Sequence, residues 1–143
     1  MRRLEPDEID ALLNLDVVAR LATIDPDGYP HVTPIWFLWE SGRFHLTSSS
    51  TRPHLRRIAR NPKVGLVIDI EGELRADGER PNRQVRVVGD ASITPDTGGL
   101  WTRRIRAKYI DGSIAPGIAE RAVHQERSLI GVTPREIVGV ASV

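Results

Sequence analysis

The sequence predicts an α+β protein built on a small antiparallel β-barrel of six to seven strands with short flanking helices. Short segments rich in β-branched residues follow one another with turn sequences between them, while helical patterns lie at the N-terminus, after the third strand and in the C-terminal half. In addition, Pro34 and Gly89 interrupt two of the strand segments, as the edges and bends of a small barrel require.

Length and composition favour one ordinary globular domain. The chain has 143 residues, which suits a single domain over residues 1–143, with 40% hydrophobic and 27% charged residues. The net charge of +1 gives no support for binding nucleic acid or an anionic membrane. There is no cysteine, the N-terminal sequence has no signal-peptide core, and no apolar run approaches the ~20 residues of a membrane helix. We therefore expect a cytoplasmic protein that binds neither nucleic acid nor membrane.

The N-terminal half is predicted to begin with a helix and to continue as an antiparallel meander. Residues 6–15 place Ile9, Leu12 and Leu13 at helical spacing, with acidic residues in the first turn. Strands are expected at residues 17–24, 31–39 and 44–47, joined by turns at 25–28 and 40–42. Because Pro34 cannot donate a ladder hydrogen bond, the second of these strands should lie at an edge or contain a bulge.

The rest of the chain is predicted to supply the remaining strands and helices. We expect strands at 64–69, 84–93, 129–133 and 137–143, helices at 55–60, 94–109 and 116–125, a loop at 71–83 and a turn at 134–136. Gly89 predicts a bulge or a bend in the strand at 84–93. Three residues of the helix at 94–109 are expected to face inward: Leu100, Ile105 and Tyr109.

A local excess of positive charge follows the third predicted strand. Residues 41–68 contain six Lys or Arg and no acidic residue, and hydroxyl side chains fill positions 48–51 just before Arg52 and His54. Hydroxyls, free backbone N–H groups and a helix N-terminus beside cations favour a phosphate. The same pattern is also typical of an amphipathic surface helix with its arginines in solvent. In that interpretation the inward residues are Leu55, Ile58 and Ala59.

The sequence carries no motif for side-chain catalysis or metal binding. The four histidines (His31, His45, His54 and His124) have no ligand spacing with one another or with carboxylates. The P-loop, dinucleotide-binding and nucleophile-elbow patterns are absent as well. We therefore predict no metal site and name no catalytic residue. If the protein is an enzyme, we expect a bound cofactor to carry the chemistry.

Three segments, taken in order, resemble the flavin-binding split β-barrel family of pyridoxamine 5′-phosphate oxidase and its deazaflavin-dependent relatives. They are VARLATIDPDGYPHVTPIWFLW, FHLTSSSTRPHLRRIARNPKVGLVID and RQVRVVGDASI, and together they cover most of residues 17–94. The resemblance implies a split barrel and a homodimer with two cofactor sites at the interface, each built from both subunits.

The resemblance also implies roles for individual residues. In such proteins the second strand lies along the isoalloxazine or deazaflavin ring, which here implies Val32, Thr33, Pro34, Ile35 and Trp36. The end of the third strand and the loop after it hold the phosphate, which implies Thr47, Ser48, Ser49, Arg52, Pro53 and His54. The start of a later strand contributes a glutamine in the oxidase branch, which is matched by Gln84.

The chain departs from the family pattern at two places. His54 stands where the family usually has lysine, and because histidine titrates near neutrality we expect cofactor binding to depend on pH. The sequence ends at Val143, without the C-terminal extension that carries substrate-binding residues in the oxidase itself. We therefore do not expect oxidation of pyridoxamine phosphate.

The function predicted from these features is that of a flavin- or deazaflavin-dependent oxidoreductase. It would transfer a hydride between FMN or coenzyme F-420 and a small organic substrate. The alternative is a protein that binds or carries a flavin or a haem-type cofactor without turnover. If the cofactor is F-420, its acidic tail could bind Arg56, Arg57 and Arg60, which are otherwise solvated surface.

Overall fold

The computed structural model describes residues 1–110 and 126–142, so the helix predicted at 116–125 lies outside the described residues. Within them, the strands are β1 (Arg2–Arg3), β2 (Ala19–Ile24), β3 (Pro30–Ile35), β4 (Leu38–Glu40), β5 (Arg43–Ser49), β6 (Lys63–Glu71), β7 (Asn82–Pro95) and β8 (Arg127–Ala141). The helices are α1 (Pro6–Leu13), α2 (Pro53–Arg60) and α3 (Leu100–Tyr109), with a 3-10 turn at Thr97–Gly99. The predicted α+β class is confirmed.

The strands form a single antiparallel sheet whose two ends are joined by the chain. The order is β3–β2–β6–β7–β8–β5–β4, and β1 pairs with β8. The end strands β3 and β4 are consecutive, separated by Trp36 and Phe37, so the chain crosses from one end of the sheet to the other and curls it into a barrel. The pairing predicted for the meander is confirmed, since β2 pairs with β3 and β4 pairs with β5, but β3 and β5 are not neighbours because the predicted strand 31–39 is divided between β3 and β4.

The strand predicted at 31–39 is split at this crossing. Pro34 lies opposite Arg20 of β2, and the described residues give β3 no second neighbour, which confirms that the proline marks an edge. Phe37 then turns into the core, where it is fully buried and its ring centroid lies 5.9 Å from that of Phe44. Burial of this ring on leaving β3 anchors the crossing.

The two closing strands predicted at 129–133 and 137–143 are a single strand, β8, and the turn expected between them is wrong. Instead, the register between β7 and β8 shifts between Val88 and Gly89, with Pro134 opposite Gly89. A Cβ built on Gly89 would lie 2.5 Å from the Thr133 carbonyl oxygen, so only glycine permits this approach. The bulge predicted at Gly89 is confirmed, and it accommodates the proline that suggested a turn.

The helices cover the barrel with short apolar faces. Helix α1 buries Leu12 and Leu13, and Ile9 packs beside them. Helix α3 buries Thr102 and Ile105 and packs on β5 and β4, whereas Leu100, predicted to face inward, is 58% exposed. Every helix within the described ranges is too short or too polar to cross a lipid bilayer.

Helix α2 begins two residues earlier than the sequence indicated. Pro53 occupies the first helical position, where its missing N–H costs no hydrogen bond. The buried face consists of His54, Leu55 and Ile58, while Ala59, expected inward, is exposed. Helix α2 packs against β2 and β7, which brings the basic residues of the helix beside the first hairpin of the barrel.

Candidate functional site

A cavity of about 410 Å³ lies where the end of β3 approaches β5 and α3. This volume lies within the range of sites that hold small molecules. Four residues that the sequence assigned to a cofactor site line it: Pro34, Ile35, Trp36 and Thr47. The other lining residues are Val18, Thr102, Ile105, Arg106 and Arg127. The cavity therefore has an apolar side, formed largely by the proline-containing strand, and a cationic side.

The apolar side is held in place by a stacked pair of aromatic rings. Trp36 lies parallel to Tyr109 of α3, with ring centroids 4.7 Å apart and planes within 4°. The Tyr109 hydroxyl donates to the Val17 carbonyl at 2.8 Å and accepts the Phe37 N–H at 3.2 Å. Burial raises the pKa of Tyr109 to about 12, so this hydroxyl remains protonated at neutral pH.

Lys108 reinforces the same crossing from the adjacent position of α3. Its Nζ donates to the carbonyl oxygens of Leu13 at 3.2 Å and Phe37 at 3.0 Å, and it lies 3.7 Å from the centroid of the Phe37 ring. Burial lowers the pKa of Lys108 to about 8. The last turn of α3 thus fixes the two residues between β3 and β4, and with them the position of Trp36.

The cationic side centres on Arg127, the first residue of β8. Its Nε donates to Thr102 Oγ1 at 3.2 Å and its Nη2 to Thr47 Oγ1 at 3.4 Å. Burial lowers the pKa of Arg127 from its ordinary value; Asp96 opposes this shift, whereas Arg106 and Arg52 add to it. Arg127 forms no ion pair with any residue of the described ranges, so its charge lacks a direct counter-ion there.

Asp96 organises the start of α3 beneath this charge. It is 8% exposed, and its carboxylate accepts the N–H groups of Trp101 at 3.0 Å and Thr102 at 2.9 Å. It also accepts the Thr102 hydroxyl at 2.6 Å. The carboxylate therefore caps the first turn of α3 across the 3-10 turn and fixes the orientation of Thr102.

The residues assigned to a phosphate do not all converge on the cavity. Thr47 lines the cavity, whereas Ser48, the next residue of β5, points to the opposite side and contacts His54 Nε2 at 2.8 Å through its Oγ. Both members of this pair are 5% exposed. Burial lowers the pKa of His54, and the nearby charges of Arg57 and Arg52 lower it further.

The loop after β5 carries the remaining residues of that set. Ser49 Oγ lies 3.1 Å from Thr51 Oγ1. Arg52 is exposed and is the residue before the first turn of α2, and Pro53 is the first residue of that helix. The charge of Arg52 is close enough to Arg127 and His54 to lower the pKa of both.

Three further residues of the assigned set also lie away from the cavity. Thr33 pairs with Leu21 inside the β2–β3 ladder. Val32, which is 64% exposed, lines a groove of about 720 Å³ on the outer face of the sheet. Gln84 shares its face of β7 with Arg86 and Val88, since side chains alternate along a strand, and both of these residues line the same groove. Val32 and Gln84 therefore lie on one outward surface.

A further groove of about 560 Å³ runs along α2 beside the first hairpin. It is lined by Asp25, Pro26, His31, Pro53, Arg56, Arg57, Ala59 and Arg60. Arg57 Nε donates to Thr23 Oγ1 at 2.8 Å, and His31 Nε2 contacts Asp25 Oδ2 at 2.8 Å. Arg56 and Arg60 leave the groove with a cationic rim.

Sequence reasoning missed the residues that α3 and β8 bring to the cavity. Thr102, Ile105 and Arg106 lie at the i, i+3, i+4 spacing of one helix face, which was the available signal. Arg127 had no local signal, because only the pairing of β8 with β5 places it beside Thr47. Within residues 1–110 and 126–142, no group of three or more His, Asp or Glu is arranged to hold a metal ion.

Comparison with known proteins supports the fold and the family resemblance. The sequence profile of pyridoxamine 5′-phosphate oxidase matches residues 5–141. Among solved structures, an F420 reductase is similar, with a TM-score of 0.66 and 28% identity over 90% of this chain and 94% of its own. Among curated proteins, none matches the chain significantly.

Two more distant structures show the same fold with other ligands in their names. A FAD-binding protein from Mesorhizobium loti has a TM-score of 0.71 and 21% identity over 99% of this chain and 98% of its own. HutZ, the haem storage protein of Vibrio cholerae, has a TM-score of 0.65 and 20% identity over 99% of this chain and 95% of its own. Such neighbours confirm the split barrel but differ in what they bind.

Proposed function

Because the chain belongs to the pyridoxamine 5′-phosphate oxidase family, we propose that it binds a phosphorylated flavin or deazaflavin in the cavity at the end of β3. The bound ring would supply hydride transfer to or from a small organic substrate, a chemistry that amino-acid side chains do not provide. The proposal is an oxidoreductase whose cofactor is FMN or coenzyme F-420.

One observation carries this proposal: a single cavity combines an apolar strand end with guanidinium groups. Pro34, Ile35 and Trp36 offer a flat apolar surface for one face of a planar ring, and Arg127 offers donors for an anionic group. The donor set therefore fits a ligand that is planar and apolar at one end and phosphorylated at the other.

The roles of the protein groups follow from their positions. Trp36 is fixed by Tyr109 and would hold the ring against the strand without moving when the ligand binds. Pro34 leaves the edge of β3 without one N–H donor, so the neighbouring backbone groups remain available to the polar edge of a ring. Ile105 and Val18 exclude water from this part of the cavity.

Two features favour the deazaflavin over FMN. The F420 reductase is 28% identical to this chain over 90% of its length. In addition, the groove along α2 presents Arg56 and Arg60 to solvent, where they would bind an acidic tail that FMN lacks. FMN remains the alternative, and it would leave this groove as solvated surface.

We further propose that the functional unit is a homodimer formed through the outer face of the sheet. The groove there exposes Val32 and Val88 at 64% and 52%, and a second copy would cover them. Gln84 lies on the same face of β7, so dimer formation would bring it to the cofactor cavity of the other subunit. This arrangement agrees with cofactor sites built from both subunits.

The test is a titration of the purified protein with FMN and with F-420, followed by absorbance and fluorescence of the ring. Binding of either cofactor supports the proposal, and hydride exchange with a reduced nicotinamide or reduced deazaflavin then establishes turnover. A cofactor that binds but exchanges no hydride with any acceptor would favour a carrier. If neither ring binds, the proposal is wrong.

A further inference from the structure

We propose that Arg127 receives the phosphate of the bound cofactor, with Arg52 and Arg106 flanking it. Of the groups that the sequence offered for this role, Ser48 and His54 contact one another, and Thr47 is held by Thr102 and by Arg127 itself. This inference rests on the proposed function and deepens it, because it assigns the anionic end of the ligand to one side of the cavity.

The hydroxyl of Thr47 is already in contact with two groups inside the protein. Its Oγ1 accepts from Arg127 Nη2 at 3.4 Å and from Thr102 Oγ1 at 3.1 Å. Thr102 Oγ1 also donates to the Asp96 carboxylate at 2.6 Å. Thr47 can offer a ligand only the single proton of a neutral hydroxyl, which is a weaker partner for an anion than a guanidinium.

The second hydroxyl of β5 also has its partners inside the protein. Ser48 Oγ donates to the Ser49 carbonyl at 3.2 Å and lies 2.8 Å from His54 Nε2. Both side chains are 5% exposed, and an anion would have to break this pair to reach either of them. The predicted phosphate ligands Ser48 and His54 thus stabilise the junction of β5 and α2.

Arg127 has the opposite properties. A guanidinium has five N–H donors, and two of those of Arg127 bind Thr102 and Thr47, which leaves three for a ligand (five minus two). The two hydroxyls fix the plane of the guanidinium, so its remaining donors are preorganised. Arg127 lines the cavity without an ion pair among the described residues. A guanidinium of this kind can bind a phosphate through two parallel hydrogen bonds, in a bidentate arrangement.

The neighbouring charges point to a group of more than one negative charge. Arg106 lines the same cavity, and both Arg106 and Arg52 lie close enough to act on Arg127 electrostatically. Like charges this close repel one another unless an anion lies among them. A phosphate monoester carries up to two negative charges at neutral pH, which suits three cations that Asp96 alone opposes among the described residues.

The experiment compares FMN with riboflavin, since the two differ only in the phosphate. The affinity ratio of the two ligands is measured by fluorescence titration for the wild type and for Arg127→Met, Thr47→Val and Arg80→Met. We expect Arg127→Met to lower the ratio about 10- to 100-fold, on the scale of a charged hydrogen bond, and to leave riboflavin affinity unchanged. Thr47→Val should lower the ratio less than Arg127→Met does, since one neutral hydroxyl supplies neither the charge nor the three N–H donors of the guanidinium. Arg80→Met is the surface control and should have no effect, because Arg80 is 54% exposed in the loop between β6 and β7 and lies outside the cavity lining.

An unchanged ratio in Arg127→Met would overturn the inference, as would a loss in Thr47→Val that equals the loss in Arg127→Met. Arg127→Gln keeps an N–H donor for Thr102 and serves as a second variant if Arg127→Met is unstable. Loss of riboflavin binding in both variants would show that Arg127 only holds the cavity together, which also overturns the inference.

A separate measurement distinguishes this inference from the proposed function. If the wild type binds no flavin, the broadening of the ³¹P signal of inorganic phosphate by the protein is measured instead. Broadening by the wild type that Arg127→Met abolishes would retain the anion site although the flavin proposal had failed. No broadening, or equal broadening by both proteins, would reject the anion site.

Discussion

Trp36 and Tyr109 stack face to face, and the hydroxyl of the same tyrosine binds the backbone on either side of the barrel crossing. The ring planes are within 4°, while the hydroxyl donates to Val17 O at 2.8 Å and accepts from Phe37 N at 3.2 Å. One side chain of α3 thus positions both the wall of the cavity and the two-residue link between β3 and β4. The stability of the fold and the shape of the site are therefore coupled through Tyr109.

We expect Tyr109→Phe to destabilise the protein by about 1–3 kcal/mol, because it retains the stacked ring but leaves the N–H of Phe37 without its hydroxyl partner. Chemical denaturation monitored by tryptophan fluorescence measures this change. Tyr29→Phe is the matched control, since Tyr29 is 70% exposed and should lose its hydroxyl at little cost. Equal stability of the two variants would contradict the role of Tyr109.

Lys108 should titrate at about 8, because burial disfavours its charged form. The chain has two lysines, Lys63 and Lys108, so the side-chain resonances of selectively labelled lysine can be assigned with Lys108→Met as reference. A side-chain NMR titration between pH 6 and 11 follows both signals directly. A single common transition for the two lysines would contradict the burial of Lys108.

The same shift predicts how stability depends on pH. Between about pH 8 and the ordinary lysine value of 10.5, the unfolded chain binds more protons at Lys108 than the folded protein does, so this group makes stability rise with pH there. Tyr109, whose pKa is raised to about 12, acts in the opposite direction above its ordinary value of 10.0. Between pH 8 and 10, unfolding free energy should therefore rise more steeply in the wild type than in Lys108→Met.

Much of the fold could be predicted because its signals are local. Three features are each set by the residue type at one position: the turn at residues 25–28, the hairpin turn at Ser41 and Gly42, and the bulge at Gly89. At the hairpin turn the φ angles of Ser41 and Gly42 are positive, at 55° and 71°. The errors concern pairing at long range. Nothing local indicates that a strand ends at Ile35 so that Phe37 can enter the core, or that Pro134 lies at a bulge rather than in a turn.

The site could be predicted only in part, for a related reason. The sequence indicated the strand end at Pro34–Trp36 and Thr47, which the cavity does bring together. It could not indicate that alternation along β5 separates Thr47 from Ser48, because this depends on which face α3 covers. Arg127 is absent from the sequence prediction since its partners, Thr47 and Thr102, are distant in the chain.

His54 should make the protein less stable in acid. Burial and the charges of Arg57 and Arg52 lower its pKa, so below about pH 6.5 the unfolded chain binds more protons than the folded one and stability falls as pH falls. We expect the loss of unfolding free energy between pH 7.5 and 5.5 to be smaller in His54→Gln than in the wild type. His31→Gln is the control, because His31 is 46% exposed and pairs with Asp25 at the surface. An equal loss of unfolding free energy between pH 7.5 and 5.5 in His54→Gln and the wild type would show that protonation of His54 does not destabilise the fold.

Arg52→Ala should weaken cofactor binding by about 1.5–3 kcal/mol, the scale of a hydrogen bond to a charged group. Arg52 is exposed at the start of α2, and no described residue pairs with its charge, so removal should leave the fold intact. Arg57→Ala is the control, because the Nε of Arg57 donates to Thr23 and its loss should reduce stability more than affinity. Equal cofactor affinity of wild type and Arg52→Ala, measured by titration, would exclude Arg52 from the site.

Val88→Asp should convert the proposed homodimer into a monomer. Val88 is 52% exposed and lines the outer groove together with Val32, so a charge there would be buried without a partner in the dimer, at a cost of about several kcal/mol. Leu74→Asp provides the matched control, because Leu74 is 64% exposed in the loop between β6 and β7, away from this face. Size-exclusion chromatography with light scattering gives the mass of each variant, and circular dichroism checks the fold. A folded Val88→Asp variant that remains dimeric would place the interface elsewhere.

If Gln84 completes the cofactor site of the other subunit, the Val88→Asp monomer should also bind the cofactor more weakly than the wild-type dimer does.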